Sequence, residues 1–385
     1  MEHSRLPIEL SEYVIEALSW HDGYPDSAAE AQANLYACAL TCRAWRPRAQ
    51  FILWREPWVT EDHRVIAFIA VLRCIAPSLA HHVRALGINH LPLSGPGDLF
   101  LLSLPNLKHL HMFSLHFDAI AVPPSLRTRL MLCAAVIHLE LSFCTFDSLR
   151  TIFDIIWSCP QLRFLDIFGC TYRQAPLQEE QARLAQAARN LKACRNLTHL
   201  DIFESNNPRV VVYAPGGTFG SALTTLRLSF GTTGGNIFRL PPLLDQAFPY
   251  LRDVEVRIRG HNLDATVDVG ADPFLHQLAA KLSTSSMLKR LSLLIDILHV
   301  HSTRCCRALF GAGDTAVPGD QTLRSLLPNS VKVTVDFQSR EEDYDPGTCA
   351  RYITLVLPSM HDVLDLRNRY RRKVLLPEAE SLKIV

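Results

Sequence analysis

Residues 160–167 read PQLRFLDI, and this stretch decides the fold because its pattern recurs along most of the chain. The pattern is an apolar residue, two free positions, a second apolar residue, one free position and a third apolar residue. Its copies begin at these residues: Leu107, Val136, Leu162, Leu197, Leu223, Leu251 and Leu288. Val83 and Val331 begin two degenerate copies. Alternating apolar and free positions are typical of a short strand with one buried face.

Two further features recur around the copies. Pro105, Pro160 and Pro249 each stand two residues before the first apolar residue of a copy. Pro cannot continue a helix and fixes φ, so it favours an extended entry into the strand. Cys144 and Cys170 each stand three residues past the third apolar residue. That is the Asn or Cys position of a leucine-rich repeat, where the side chain helps to turn the chain off the strand.

The intervals between copies fit a repeat of one strand and one helix. Most lie within the roughly 20–29 residues usual for leucine-rich repeats, and those before Leu197 and Leu288 are longer. Apolar spacing predicts helices over 146–157, 177–194 and 273–283. The sequence therefore resembles an α/β repeat, a leucine-rich-repeat solenoid with short parallel strands on one face and helices on the other. An ordinary α/β domain is the alternative.

The length of the chain predicts more than one part. Its 385 residues exceed the roughly 250–300 at which a single core stops growing. The predicted parts are a helical module at 1–56, a helical linker with the first degenerate repeat at 57–105, the solenoid at 106–340, and an acidic loop, capping segment and basic tail at 341–385. The basic run at 367–373 is predicted to lie on a last helix.

The composition narrows the classes of partner and compartment. With 39 basic and 38 acidic residues the formal net charge is +1, so nucleic-acid binding is not expected. Residues 1–10 contain no apolar run, and the apolar stretch 65–76 suits a buried helix and is too short for a bilayer. The 11 Cys form no framework, which is typical of free thiols in a reducing compartment. We therefore expect an intracellular protein, cytoplasmic and/or nuclear, without membrane association.

Residues 4–54 differ from the repeats because they predict helices alone. One helical stretch follows residue 7 and a second spans 35–53, with a polar, Ala-rich stretch at 21–34 between them. The blocks that resemble the F-box family are LPIEL at 6–10, VIEAL at 14–18, LTCRAWR at 40–46 and LW at 53–54. An F-box followed by leucine-rich repeats resembles the substrate receptors of SCF-type cullin ubiquitin ligases, and is similar to fungal F-box-like proteins.

The resemblance implies a docking surface in this module. In that family the F-box docks on a Skp-type adaptor and through it on a cullin ligase. By position, the resemblance assigns docking to Leu6, Pro7, Leu10, Val14, Leu18, Leu40 and Trp45. The stretch 21–34 is longer than a compact F-box needs and is predicted to loop out. In the alternative, the helices only pack on the first repeat as the N-terminal cap that solenoids require.

The residues between the apolar positions of each strand are predicted to line the concave face, because strand side chains alternate. The predicted substrate-binding residues are His111, Phe113, Glu140, Phe164, Asp166, Phe168, His199, Asp201, Phe203 and Arg227. An acidic row flanked by His and Phe predicts that residues 107–205 bind a basic or Arg-bearing segment of a protein substrate, and His beside carboxylates predicts pH-sensitive binding. In the alternative, the chain's own loops cover the Phe residues and the acids only solvate the surface.

The sequence shows no pattern typical of an enzyme. Cys38 and Cys42 have no matching second pair, and His109 with His111 is expected to be a surface pair, so no metal is predicted. No complete nucleotide fingerprint, nucleophile elbow or metalloprotease helix occurs. We therefore expect no catalytic residue, no cofactor and no enzymatic activity. The expected function is substrate recognition within an SCF-type ligase; the alternative is a leucine-rich-repeat interaction scaffold that engages no ubiquitin ligase.

Overall fold

A computed structural model gives the structure of the chain. It describes residues 7–19, 25–41, 43–89, 104–117, 135–173, 179, 182–184, 186–187, 194–203, 219, 221–232, 244, 248–260, 274–283, 285–297, 327, 331–338 and 364–368. The chain divides into two compact units, Met1–Ala175 and Pro176–Val385, which are called the N-terminal unit and the C-terminal unit below. The boundaries expected at 56, 105 and 340 stay predictions.

Three helices open the N-terminal unit. They are α1 at Ile8–Leu18, α2 at Pro25–Thr41 and α3 at Arg46–Arg55. The buried residues of their shared core are Ile15, Leu35, Cys38, Ala39, Ala49 and Ile52. Burying a large aliphatic side chain such as that of Leu or Ile stabilises a fold by about 1.5–3 kcal/mol relative to leaving it exposed. The three helices therefore hold one another through side chains from all of them.

The structure corrects two predictions for these helices. The polar stretch 21–34 does not loop out from Pro25 onward, because it forms the first part of α2. Pro is tolerated at the first helical position and Ala has the highest helix propensity. The stretch 35–53 is not a single helix, since α2 ends at Thr41 and α3 begins at Arg46. Pro47, in the first turn of α3, lacks the N–H that a continuing helix would need.

The remaining described elements of the N-terminal unit alternate strands with helical turns. They are β1 at Trp58–Val59, α4 at Asp62–Ala70, a π-helical turn at Val71–Ile75, a 3₁₀ turn at Pro77–His81, β2 at Ala85–Asn89, β3 at His109–Phe113, β4 at His116–Phe117, β5 at His138–Ser142, β6 at Thr145–Phe146, α5 at Leu149–Trp157, β7 at Phe164–Phe168 and β8 at Thr171–Tyr172. Each long strand falls on a predicted copy of the sequence pattern.

The described strands of the N-terminal unit form two parallel sheets. The larger has the order β1-β2-β3-β5-β7, and the smaller has the order β4-β6-β8. His109 is in register with His138, and His138 with Phe164, so equivalent positions of successive copies become neighbours. In β3, Leu110 and Met112 are buried while the residues on either side of them are half-buried. The predicted alternation between a buried and an open face is therefore confirmed.

The long strands of the larger sheet end in similar left-handed turns. Ser114, Phe143 and Gly169 follow β3, β5 and β7 and have φ values of 50°, 55° and 60°. Gly adopts this region freely, whereas a bulky residue such as Phe is strained there. The N–H of Ser114 donates to the carbonyl of Ser142 at 2.8 Å, and that of Phe143 to the carbonyl of Phe168 at 2.7 Å. The backbone ladder between neighbouring copies thus continues into the turns.

Two buried thiols stabilise these turns by hydrogen bonds to the preceding strand. The Cys144 thiol donates to the Met112 carbonyl at 3.3 Å, and the Cys170 thiol donates to the Leu141 carbonyl at 3.2 Å. Both acceptors belong to the preceding strand of the sheet, so each thiol links two copies. Burial, together with the neighbouring Cys144, raises the pKa of the Cys170 thiol well above its ordinary value, which keeps it a donor. The predicted turning position of these Cys is confirmed.

Helix α5 begins later than the apolar spacing predicts. Phe146 belongs to β6, and the helix starts only at Leu149. The side-chain oxygen of Ser148 accepts a hydrogen bond from the Thr151 N–H at 3.4 Å, which caps the helix. Ile152 and its apolar neighbours are buried. The helix predicted over 146–157 is therefore confirmed in kind and shortened at its start.

The apolar stretch 65–76 is helical but only partly buried. It runs through α4 and the π-helical turn, with Val65 and Leu72 buried. Ile66 and Ile75 are 62% and 73% exposed. Among the described residues, no helix combines the length and the apolar character needed to cross a membrane.

The C-terminal unit continues the same pattern within itself. Its described elements are β9 at His199–Phe203, β10 at Thr225–Thr232, β11 at Asp253–Gly260, α6 at Phe274–Leu282, β12 at Arg290–Ile297, β13 at Lys332–Gln338 and β14 at Leu364–Asn368. These strands are parallel, and each is hydrogen-bonded to the next in chain order. The parallel strands and helices of the two units confirm the prediction of an α/β fold.

Helix predictions for the C-terminal unit have mixed outcomes. The helix predicted over 273–283 is confirmed by α6. Most of the helix predicted over 177–194 lies outside the described residues. The basic run at 367–373 does not begin on a helix, because residues up to Asn368 form β14, and the rest of the run is not described. The alternating Leu-Asp-Leu-Arg of β14 fits a strand with one buried face better than it fits a helix.

Candidate functional site

The open face of the N-terminal unit brings together the polar residues that the repeat pattern singled out. His111, Glu140 and Asp166 occupy the central row and are in register on β3, β5 and β7. His109 and His138 stand beside one another in the preceding row. All five are half-buried. They are called the histidine–carboxylate cluster.

Hydrogen bonds between strands hold this cluster together. His111 Nδ1 lies 2.8 Å from Glu140 Oε2, and His138 Nε2 lies 2.7 Å from Asp166 Oδ2. His109 Nδ1 lies 3.3 Å from His138 Nδ1. One continuous chain of hydrogen bonds therefore runs from Asp166 through His138 to His109, and a separate pair joins His111 to Glu140.

The surroundings of His138 and Glu140 favour their charged forms. Burial lowers the pKa of His138, but the hydrogen bond and charge of Asp166, with the charge of Glu140, outweigh it, so the pKa is raised overall. Burial raises the pKa of Glu140, but hydrogen bonds from His111 and Ser142 and the charges of the imidazoles outweigh it, so the pKa is lowered overall. Each charged group is thus stabilised by opposite charges across the strands.

His109 behaves in the opposite way. Burial lowers its pKa, the charges of His138 and His111 lower it further, and Glu56 only partly offsets this. A neutral His109 can accept from His138 Nδ1–H while His138 Nε2–H donates to Asp166. The chain of hydrogen bonds therefore accommodates one imidazolium, placed at His138.

Removing the carboxylate beside His138 should lower the pKa of this histidine. In Asp166→Asn the burial of His138 remains but the charge that opposes it is gone, so its pKa should fall below the wild-type value. A raised folded pKa contributes stability that is complete below about 6.5 and is lost as pH rises through the folded value. The stability difference between wild type and Asp166→Asn should therefore shrink as pH rises through that range.

The titration is followed by NMR of isotope-labelled histidine side chains, and stability by urea unfolding at several pH values. Glu61→Gln is the matched control, because Glu61 pairs with His63 at 3.1 Å outside the open face. An unchanged His138 titration in Asp166→Asn would contradict the pairing described above.

Trp58 covers one end of the cluster. It is in register with Gly87, and any Cβ at Gly87 would fall inside the indole ring. The indole therefore lies across β2 and reaches the His111 ring, with ring centroids 5.8 Å apart. Trp58 is only 6% exposed. Sequence reasoning missed Trp58, although a Gly between Leu86 and Ile88 was a signal that something approaches the backbone closely.

An aromatic cluster lies at the strand ends of the same face. It consists of Phe113, Phe143 and Phe168, and Phe143 contacts the other two at centroid distances of 5.3 and 4.8 Å. Phe143 is 38% exposed and has the strained left-handed backbone. The hydroxyl of Ser142, the residue before Phe143, donates to Glu140 Oε1 at 3.0 Å, so the aromatic cluster and the histidine–carboxylate cluster are connected.

The aromatic cluster bears on both predictions for the Phe residues. Phe113 and Phe168 are half-buried, partly under Phe143, as the alternative of covering by the chain itself predicts. Phe164, which contacts the His138 ring at 5.9 Å, is still 37% exposed. Sequence reasoning missed Phe143 because it stands outside the strand pattern.

In the C-terminal unit, arginines take the place of histidines. Arg227 lies 3.6 Å from Asp201 and 3.9 Å from Glu255, on the strands at either side of it. Arg257 lies 3.5 Å from Glu255, and its guanidinium stands 5.7 Å from the centre of the Phe203 ring. Asp201 and Glu255 of this unit are thus already paired with permanent cations.

His199 belongs to a shallow pocket beside these pairs. The pocket has a volume of about 340 Å³, and its lining includes His199, Arg227, Asp253 and Arg290. Arg290 Nε donates to Asp253 Oδ1 at 2.6 Å. The predicted residues His199, Asp201, Phe203 and Arg227 therefore all lie on the open face of the C-terminal unit, beside charges that balance one another.

The predicted docking residues of the helical module divide into two groups. Leu10, Val14 and Leu40 are 52%, 38% and 80% exposed. Leu18 and Trp45 are partly buried against the core of the three helices. The first group is available to a partner, whereas the second mainly holds the helices together.

The outer surface of the module carries more apolar side chains than the resemblance assigned. Tyr13 and Tyr36 are 71% and 57% exposed, on α1 and α2. Pro7 is exposed at the start of α1, and Leu6 lies outside the described residues. Several large exposed apolar groups on two short helices are typical of an interaction surface.

Within the part of the chain that the structure describes, no group of three or more His, Cys, Asp or Glu is arranged to hold a metal ion. No known family profile and no curated protein matches this chain.

Proposed function

We propose that this protein is the substrate-recognition subunit of an SCF-type cullin ubiquitin ligase. The F-box-like helices bind the Skp-type adaptor, and the open faces of a leucine-rich-repeat solenoid hold a protein substrate. The chain itself catalyses nothing and works inside the cell. It raises the effective concentration of substrate at the ligase, which converts a bimolecular transfer into a nearly intramolecular one.

One observation carries the adaptor half of the proposal. Leu10, Val14 and Leu40 remain exposed although the three helices have a core of their own. Exposed apolar side chains that the fold does not use are expected where another protein packs. The residues lie at positions that the F-box resemblance assigns to docking, so chemistry and resemblance agree.

The repeat half of the proposal is supported by the strands. In each unit, parallel neighbours follow in chain order with equivalent positions in register. In the N-terminal unit, left-handed turns follow three successive long strands, and a Cys hydrogen bond to the preceding strand occurs in two of these copies. Regular stacking of this kind is the expected behaviour of repeats that bury their apolar faces against their neighbours.

Placing a charge on the exposed apolar surface should weaken adaptor binding strongly. Leu10→Asp or Leu40→Asp would bury an unpaired carboxylate in the interface, with an expected loss of about 2 kcal/mol or more, or roughly 30-fold in affinity. Co-expression with the Skp-type adaptor followed by purification measures this. Ile66→Asp is the matched control, because Ile66 is 62% exposed but lies on α4, outside the three-helix module.

The second candidate function is a repeat scaffold that binds a protein without ubiquitin transfer. The open-face clusters favour it, since they exist independently of the helical module. If wild type fails to co-purify with the adaptor, or if the Asp variants bind as well as wild type, the scaffold function replaces the receptor function.

A further inference from the structure

We propose that the open face of the N-terminal unit binds an extended Arg-x-apolar segment of a partner protein, and that the Arg displaces a proton held by the histidine–carboxylate cluster. This inference deepens the proposed function because it names the substrate class of the same face. It needs the substrate-holding role of that face and does not need adaptor docking.

The spacing of the two clusters selects the form of the segment. Asp166 in the histidine–carboxylate cluster and Phe168 in the aromatic cluster are two residues apart on β7. Two residues of a strand span about 6.6 Å, and their side chains leave the same face. An extended partner segment has the same repeat, so residues i and i+2 can meet the carboxylates and the aromatic rings together.

The charges select Arg for the first of these positions. Glu140 and Asp166 stand on neighbouring strands, and their present partners are the imidazoles of His111 and His138. A guanidinium offers a planar fork of N–H donors that matches carboxylate oxygens and keeps its charge at every physiological pH. It can therefore pair with a carboxylate whose charge a neutral imidazole no longer balances.

The aromatic cluster selects the apolar residue. Phe143 packs against Phe113 and Phe168 and has a strained left-handed backbone. The residue nevertheless remains 38% exposed. Strain retained at an exposed aromatic residue is typical of a functional position. Ser114 occupies the equivalent turn one copy earlier, so the turn itself does not require Phe.

The same groups decide the direction of the pH dependence. The charged and titratable groups around His138 are His109 and His111 on β3, Glu140 on its own strand, and Asp166 on β7. When His138 is protonated, Asp166 is already paired and an incoming Arg meets a like charge. When His138 is neutral, both carboxylates favour the cation. Binding should therefore release a proton and weaken as pH falls.

The closing experiment begins with selection from a phage-displayed library of random heptapeptides on the purified full-length chain at pH 8. The selected peptide is then synthesised, and its affinity is measured by fluorescence anisotropy at pH 8 and pH 6. We expect peptides with Arg two positions from an apolar residue, and binding about tenfold or more weaker at pH 6 for one linked proton.

Variants separate the two halves of the site. Asp166→Asn should weaken binding and flatten its pH dependence, while Phe143→Ser should weaken binding and leave the pH dependence intact. Glu61→Gln, the control at the His63 pair outside the open face, should match wild type in both respects. These outcomes do not depend on the adaptor.

Selection without enrichment, enrichment of peptides lacking Arg, or equal affinities at the two pH values would each overturn the inference. Adaptor binding in co-expression would stand or fall separately, because its variants lie on α1 and α2. A chain that binds the adaptor but selects no Arg-x-apolar peptide keeps the proposed function and loses only this inference.

Discussion

Replacing Gly87 with Val should lower the free energy of unfolding of the N-terminal unit by about 3 kcal/mol, the upper part of the range usual for overpacking. The Cβ of any other residue would clash with the indole ring of Trp58, a residue that is only 6% exposed. The indole would have to leave β2 and lose its contact with His111. Both the packing of the sheet edge and the cover over the cluster would be lost.

Tryptophan fluorescence during urea unfolding measures this cost in the full chain. All 5 Trp lie before residue 176, so the signal reports on the N-terminal unit. Ala85→Val is the matched control, because Ala85 faces the same way two residues earlier and is only half-buried. In a Trp58→Ala background the ring is absent, so Gly87→Val should cost far less. Equal costs in both backgrounds would contradict the contact.

The periodic part of the fold could be predicted from the sequence. Alternation of apolar and polar residues is a local signal, and it correctly placed β3, β5 and β7. It also predicted which side chains share the open face, because a strand has only two faces. The position of Cys144 at the turn after its strand followed from the same repeat, whereas its hydrogen bond to the preceding strand did not.

Pairings between particular side chains could not be predicted in this way. The repeat places His138 near four titratable neighbours, and only the register and rotamers join it to Asp166 and His109. Trp58 lies on β1, outside the clear copies of the sequence pattern, and reaches the site from there. Phe143 reaches the site through a left-handed backbone conformation that its side chain disfavours. All of these depend on contacts between distant residues, which a local pattern does not contain.

The first part of α2 shows a different limit of prediction from the sequence. Residues 25–34 are rich in Ala and polar side chains, so apolar periodicity gave no sign of a helix. Intrinsic propensity was the better guide there, since Ala favours helix without needing an apolar stripe. Ala28 and Ala31 are buried all the same, because small side chains allow close packing of the helix.

The second large loss of stability is expected for a substitution in the smaller sheet. Phe117 and Phe146 lie side by side in β4 and β6, with ring centroids 4.8 Å apart and planes 8° from parallel. They are 1% and 0% exposed. Phe146→Ala would leave a cavity between neighbouring copies, and a buried Phe→Ala change usually lowers the free energy of unfolding by about 3–5 kcal/mol.

Phe164→Ala is the control that makes this change informative, because it deletes the same atoms from the open face of the same unit. Phe164 is 37% exposed, so its truncation should cost about 1 kcal/mol or less. Urea unfolding followed by tryptophan fluorescence compares the two variants directly. If the packed side chains of β4, β6 and β8 hold successive copies together, Phe146→Ala should lower the free energy of unfolding by at least about 2 kcal/mol more than Phe164→Ala does. Similar costs at the two positions would mean that the open face is packed as tightly as the core, and it could not then receive a partner without rearranging.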